Sequence, residues 1–520
     1  MNVIHAMGLD VTMVDGVPEF ADAPAGRFRG VRQGAKAGVF AGIRFAAPPV
    51  GRWRFRPPRP VPDAVRLVDA TCFRAAPAQS LPAFASGGGK SGEPAAAIGA
   101  ALGRAEASED CLYLNVWTPD VRGRRPVIVW VYGGGFETGS ASPPLTDGGA
   151  LSRLTGAVVV AANYRLGALG FGYWAGVGGP DWAESSNLGL QDQAAALAWV
   201  RRNIAAFGGD PGNVTVAGES AGAFLIGALL GAPQGLFDKA ILQSGGAGRI
   251  FSAETGDVLA RALLDAVGVA TVEELQAVEV DRILSAQREV IDLDVGRRNL
   301  PGGRSWGVVL DGTVVPRHPL EAVGDGSTAE IPLLVGANRD EVRSYRATGG
   351  NGFVASDLES LLAEFTRAGV ATPSALYQAY RERVGDDADM AVLRESFLTD
   401  AVYRRPVSDL AAAQRAAGGR VWASLFSAEP FGPQMGAFHG ADLLYVFDHL
   451  AALGFDSEAN RRVRDELTGA WARFVRDGDP GWDQWDAGAR PNARLFGGDG
   501  FLVSEPPDDE ILRLWPLQRG

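Results

Sequence analysis

A doubly wound α/β fold built on a largely parallel sheet is predicted from three observations. Apolar runs at residues 126–132 and 157–162 show no alternation, as strands buried on both faces require. Further short apolar runs at 214–216, 239–243, 331–335 and 420–426 are separated by stretches of helical patterning, the rhythm of a sheet wound with helices. The run at 214–216 leads directly into Gly218-Glu219-Ser220-Ala221-Gly222 and a small-residue apolar helix, the strand, tight turn and helix that lift a serine hydroxyl out of a nucleophile elbow.

The elements follow in order. Residues 26–60 are rich in Gly, Arg and Pro and predict short strands and turns laid over a core. Residues 76–108, centred on S-G-G-G-K-S-G, predict a surface loop, as a flap near a site or a plain insertion. Residues 188–207 predict a long helix, with Leu190, Ala194, Leu197 and Val200 on one face and Gly208-Gly209-Asp210-Pro211 ending it. Helical sections at 252–287 and 356–417 interrupt the strand rhythm and are expected to be cap or lid insertions. A helix at 457–477 closes the chain. With no internal repeat and no convincing linker, residues 1–520 are expected to form a single domain.

The chain has 520 residues, 46% of them apolar, and a formal charge of −12. A polyanion would be repelled by that charge, so nucleic acid is excluded as a partner. No apolar run reaches the roughly 18 residues of a membrane span, and the first residues lack a basic n-region, so a cytoplasmic enzyme is expected. The 2 cysteines, Cys72 and Cys111, make no disulfide framework and read as reduced thiols. The 4 histidines show no ligand-like spacing. No metal or cofactor is expected, and monomer and homodimer are both compatible with the sequence.

The pattern G-x-S-x-G has little weight alone in a chain with 69 glycines. A second copy, Gly303-Arg304-Ser305-Trp306-Gly307, has neither a strand before it nor a helix after it, so context keeps Ser220 and discards Ser305. A serine hydroxyl needs a base, an acid to orient that base, and donors for the oxyanion. In this arrangement the partners follow in the order nucleophile, acid, histidine, which excludes His5. The turn after 331–335 carries Asp340 and Glu341, either of which could be the acid, and an acid there excludes His318. Of the remaining histidines, His439 lies in a small-residue loop beyond the last strand, whereas His449 reads as a helix-surface group. The amide of Ala221 is one oxyanion donor, and the Tyr132-Gly133-Gly134-Gly135-Phe136 turn after a buried strand is expected to supply the others.

With those residues in place, the chain resembles the type B carboxylesterases, the α/β-hydrolase family that includes para-nitrobenzyl esterases and cholinesterases. The motifs are G-I-R-F-A-A-P-P-V-G, E-D-C-L-Y-L-N-V-W-T-P, Y-G-G-G-F, N-Y-R-L-G-A-L-G-F, N-L-G-L-Q-D-Q, F-G-G-D-P, G-E-S-A-G-A, I-L-Q-S-G and a late D-G-D-P. The resemblance implies a serine carboxylesterase acting on small-molecule esters, with Ser220, Glu341 and His439 as triad. It places Gly134, Gly135 and Ala221 as oxyanion donors, with Ser244 and Glu219 supporting the triad from behind. Amides, lactones and lipid-like esters are the alternative substrates, and a catalytically silent interaction module is the alternative class. Tyr132 stands where many family esterases have histidine, and Val342 follows Glu341 where glycine is usual. Cys72 is displaced from the position that would bridge Cys111, so no disulfide is expected. Residues 76–108 contain no tryptophan to bind a quaternary ammonium, which disfavours choline esters.

Overall fold

The computed structural model describes residues 14–32, 37–80, 106–142, 144–232, 235–385, 387–486, 493–497, 502–503, 511 and 514–515. Among them a 13-stranded sheet forms the centre of the molecule. Its main strands are β1 (Val17–Ala23), β2 (Gly26–Arg32), β3 (Gly38–Arg44), β4 (Tyr113–Thr118), β5 (Arg125–Val131), β6 (Val158–Ala162), β7 (Gly209–Glu219), β8 (Lys239–Gln243), β9 (Leu333–Asn338), β10 (Val421–Phe426), β11 (Ala493–Phe496) and β12 (Leu502–Val503). Their spatial order is β1-β2-β3-β4-β6-β5-β7-β8-β9-β10-β11-β12, and Val68–Asp69 pairs with β2 beside this path.

From β6 across to β11 every neighbouring pair is parallel. The N-terminal strands β1 to β4 meander antiparallel, and β4 joins β6 antiparallel. The continuous apolar runs of the sequence are explained by this arrangement: β6, β8, β9 and β10 are buried along their whole length, since helices cover both faces of the sheet. The carboxyl ends of the parallel strands β5, β7, β9 and β10 share one edge, where an open α/β sheet binds its ligand.

Two expectations need correction. The elbow strand was expected over 214–216, but β7 begins at Gly209, and its pairing with β5 shifts register between Gly209 and Val214. Pro211 lies within that irregularity, where its missing N–H does least harm, so the residues that stop the helix also start the strand. His449 was expected on a helix surface, but it is buried, with Nε2 donating to the Leu145 carbonyl at 2.8 Å.

The predicted helices are present. Residues Leu188–Asn203 form α1, followed by a 3-10 turn at Ile204–Phe207. Helix α2 (Ala221–Leu230) is apolar on every side and wholly buried. Between β8 and β9 lie α3 (Ala253–Val267) and α4 (Val280–Glu289); between β9 and β10 lie α5 (Leu358–Arg367), α6 (Pro373–Val384), α7 (Met390–Leu398) and α8 (Arg405–Ala416). A π-helical turn, Thr399–Arg404, joins α7 to α8. Helix α9 (Glu458–Asp477) starts at a Ser457 cap and ends at left-handed Gly478.

The ends of the predicted 76–108 loop pair as Ala76–Pro77 with Ala107–Ser108, while its centre lies outside the described residues. Met1 to Ala6, including His5, also lie outside them. Cys111 is buried, Cys72 is half-buried, and both are free thiols. Among the described residues no helix is long and apolar enough to cross a membrane.

Candidate active site

The elbow is built by close approach of backbone. A side-chain carbon on Gly222 would lie 2.0 Å from the Val131 carbonyl oxygen, so only glycine lets α2 start against β5. The turn between them forces Ser220 to φ 54° and ψ −123°, a strained conformation for a non-glycine residue. Its amide donates to the Gln243 carbonyl at 3.0 Å and its carbonyl accepts from Phe224 N at 2.9 Å, so strand and helix hold the strain from both sides.

Past the end of β5, Gly133 packs on the elbow: a side-chain carbon there would stand 2.6 Å from Glu219 Oε2 and 3.0 Å from Ser220 Cβ. Gly134 has φ 113° and Gly135 φ 66°. The Gly134 carbonyl closes a turn by accepting from Glu137 N and Thr138 N at 3.1 and 3.0 Å. Among the described residues, the N–H groups of Gly134, Gly135 and Ala221 have no acceptor. Ala221 is the first residue of α2, so its N–H is one of the donors a helix start leaves open.

The two carboxylates after β9 have separated. Glu341 is fully buried; its Oε2 lies 2.7 Å from His439 Nδ1 and its Oε1 accepts from Asn338 N at 2.7 Å. The backbone repeats the link, His439 N donating to the Glu341 carbonyl at 3.1 Å. Asp340 instead pairs with Arg339 at 2.9 Å and Arg343 at 2.8 Å, and accepts from Ala437 N at 2.9 Å. It staples the loop that carries the histidine and does not touch the ring. His318 lies away from this group, its Nδ1 capping a helix by accepting from Leu320 N at 3.3 Å.

The imidazole of His439 is held on its face by Tyr403, ring centroids 4.3 Å apart, and on its edge by Tyr345 at 6.2 Å. Burial disfavours its charged form, but Tyr403, Glu219 and Glu341 together outweigh this and hold its pKa well above the usual histidine range. Its Nε2 lies 3.2 Å from Glu219 Oε1, although Oε1 makes no aligned hydrogen bond. No hydrogen bond joins Ser220 Oγ to His439 among the described residues. Burial pushes the Glu219 carboxyl up to about 8, with His439 opposing and Asp442 and Glu341 adding to the rise. Ser244 lies behind the elbow at φ 52°, fully buried, its hydroxyl without a partner among the described residues.

Sequence reasoning missed several participants. Tyr403 projects from the π-helical turn inside a section read only as helical insertion. Asn338 and buried Asp442 bond to each other at 3.1 Å beneath the Glu341–His439 pair, and Asn338 Nδ2 also donates to the Phe438 carbonyl at 2.8 Å. The place of Asp442 three residues after His439 was the one available signal.

A strained serine at a strand-to-helix turn, a buried acid–histidine pair on the neighbouring strand ends and open amide donors from a glycine turn define an α/β-hydrolase. The chain belongs to the carboxylesterase family, whose model matches residues 18–494, and it is a carboxylic ester hydrolase. It is 34% identical over 495 residues to a para-nitrobenzyl esterase of Bacillus subtilis, covering 91% of this chain and 94% of the relative. It is 33% identical over 477 residues to a fumonisin B1 esterase of Sphingopyxis macrogoltabida, covering 87% and 82%. A carboxylesterase structure from Geobacillus stearothermophilus superposes with TM-score 0.82 at 32% identity, over 96% of this chain and 100% of that one.

Proposed function

We propose that the chain hydrolyses small-molecule carboxylic esters through an acyl-enzyme on Ser220. The observation that carries this reading is the 2.7 Å contact of Glu341 with His439 Nδ1, on loops converging on a serine in a strained turn. The buried carboxylate holds the ring with Nδ1 protonated, so Nε2 is left to act as the base. On substrate binding the ring turns Nε2 from Glu219 to the Ser220 hydroxyl, a bond that free enzymes often leave unformed. Nε2 takes the proton as Oγ attacks the ester carbonyl, and the N–H groups of Gly134, Gly135 and Ala221 receive the oxyanion. His439 then hands the proton to the departing alcohol, and water, activated by the same nitrogen, releases the acid.

The helical segments 252–287 and 356–417 act as caps over this edge of a single domain. The second supplies Tyr403 against the imidazole, and Arg394 on α7 ties this segment to Asp294, which lies beyond the first segment, at 2.6 Å, while also pairing with Glu364 on α5 at 2.7 Å. Hydrolysis of a chromogenic short-chain ester by Ser220→Ala tests the mechanism. Turnover should fall by about 10³-fold or more, with loss of labelling by a fluorophosphonate probe. Undiminished turnover would move the nucleophile elsewhere.

A further inference from the structure

The discarded second copy of the serine motif leads to an unexplained cation. Arg249 follows β8 and sits at φ 54°, unusual for arginine. Its Nη2 donates to Ser305 Oγ at 2.5 Å and to the Trp306 carbonyl at 3.2 Å, so Ser305 serves as an anchor for this guanidinium. Two ring contacts place it beside the active site. The guanidinium carbon stands 5.1 Å from the ring centre of Phe136, next to the oxyanion turn, and 5.9 Å from that of Phe224, one turn after Ser220. Tyr403 and Tyr345, the two rings that flank His439, also lie within its field.

Among the described residues Arg249 has no partner of opposite charge. No carboxylate among the described residues lies within ion-pair distance, and its buried Nε has no hydrogen-bond acceptor. The nearby acid, Glu137, is taken by Arg298. Burial, and then the charge of Arg298, pull the Arg249 guanidinium down to about 10. A half-buried cation held against two aromatic faces, with its neighbouring acid committed elsewhere, is poised for an anion that arrives with the ligand. The net charge of −12 makes such a local cation the more telling, because the protein as a whole repels anions.

We propose that Arg249 is a specificity-determining residue that receives a free carboxylate on the substrate, so that the favoured esters bear a second, unesterified carboxylate on their acyl or alcohol part. This rests on the ester-hydrolase reading above.

The test compares matched esters on the full-length enzyme. For the acyl side, 4-nitrophenyl hemiglutarate is set against its methyl-capped analogue; for the alcohol side, 4-acetoxybenzoate is set against its methyl ester. In the wild type, kcat/KM for the charged member of at least one pair should exceed that of its neutral partner by about tenfold or more at low salt, the worth of a charge-assisted hydrogen bond. The excess should shrink as ionic strength rises. In Arg249→Gln the ratio should collapse towards one, while Arg249→Lys keeps part of it. The pair that responds tells which side of the ester holds the carboxylate. A wild-type ratio at or below one for both pairs, or an undiminished ratio in Arg249→Gln, overturns the proposal. Because each result is a ratio within one enzyme, and the wild-type comparison needs no variant, a poorly folded mutant does not mask the answer. Failure of the nucleophile assignment would show separately, in Ser220→Ala and in fluorophosphonate labelling.

Discussion

The Nε2 atom of His439 lies 3.2 Å from Glu219 Oε1, on the side of the ring opposite its 2.7 Å contact with Glu341. The proposed base for Ser220 is thus held between two buried carboxyls that favour its charged form. Glu219 precedes Ser220 in sequence, so the elbow that presents the proposed nucleophile also presents a competitor for its proposed base.

That competition sets a pH dependence. As the proposed base His439 can act only when neutral, and its pKa is raised well above 6.5. The value of kcat/KM should therefore fall as pH drops through a midpoint above that figure. Glu219, itself pushed up to about 8, titrates as a coupled pair with His439, so Glu219→Gln removes the ionised carboxylate state that stabilises the imidazolium and the acid limb should move to lower pH. Profiles of kcat/KM against pH for the two enzymes check this; an unmoved or higher midpoint in the variant would show that Glu219 does not govern the base.

The two adjacent carboxylates should respond differently to loss of charge. Glu341→Gln leaves the ring contact with a neutral group that cannot hold the Nδ1 proton or balance the imidazolium, and kcat should drop by about 10³–10⁴-fold. Asp340→Asn should leave turnover near that of the wild type. Its effect falls on stability, about 1–3 kcal/mol in chemical denaturation, because Asp340 fastens Ala437 and two arginines. The reverse pattern would shift the orienting acid by one residue.

What could be read from the chain depended on how local its cause was. The strands β6, β8, β9 and β10 announced themselves because burial on both faces demands unbroken apolar runs, and the elbow because its glycines answer to backbone contact. Glu341 and Asp340 could not be separated by pattern, since the choice depends on where a loop about 100 residues later folds back, a separation of 98 for the His439 pair. His449 misled because its burial comes from Leu145, 304 residues away. Tyr403 was hidden by a π-helical turn, which has no sequence signature at this level, and Ser305 by a pattern that pointed to the wrong chemistry.

The proposed oxyanion turn makes a graded prediction. At Gly134 a side-chain carbon would lie 2.1 Å from the Thr138 carbonyl oxygen, so Gly134→Ala must displace the turn and its N–H donors. Loss of a donor of this kind lowers kcat by about 10²–10³-fold. At Gly135 nothing lies within 4 Å of the added carbon, and only the positive φ of 66° opposes it. Gly135→Ala should therefore be the milder variant in kcat, with a stability loss of about 1–2 kcal/mol from backbone strain. Equal losses in both would mean that the contact with Thr138 is not what shapes the turn.

Arg394 on α7 lies between Asp294 and Glu364 with a side chain only 2% exposed, linking the helical section before β10 to the chain after α4. Arg394→Met would fill much of the volume but leave buried Asp294 without its ion pair and Glu364 with only the 4.0 Å contact of Arg367, a change that destabilises by about 3–5 kcal/mol when one partner of a buried pair is removed. The same pairing sets a signature at low pH. Burial tends to raise the Asp294 carboxyl, but bonds from Arg394 and the Arg297 amide outweigh it and hold it below its ordinary 3.8. A depressed carboxyl stabilises the fold above its unfolded value and loses that contribution as pH falls through the folded one. Wild-type unfolding free energy should accordingly drop on acidification below about pH 4 more steeply than that of Arg394→Met, whose buried carboxylates, without Arg394, already prefer the protonated form. Denaturant titrations of both proteins from neutral to acid pH measure the two slopes, and parallel curves would show that this cluster contributes no pH-dependent stability.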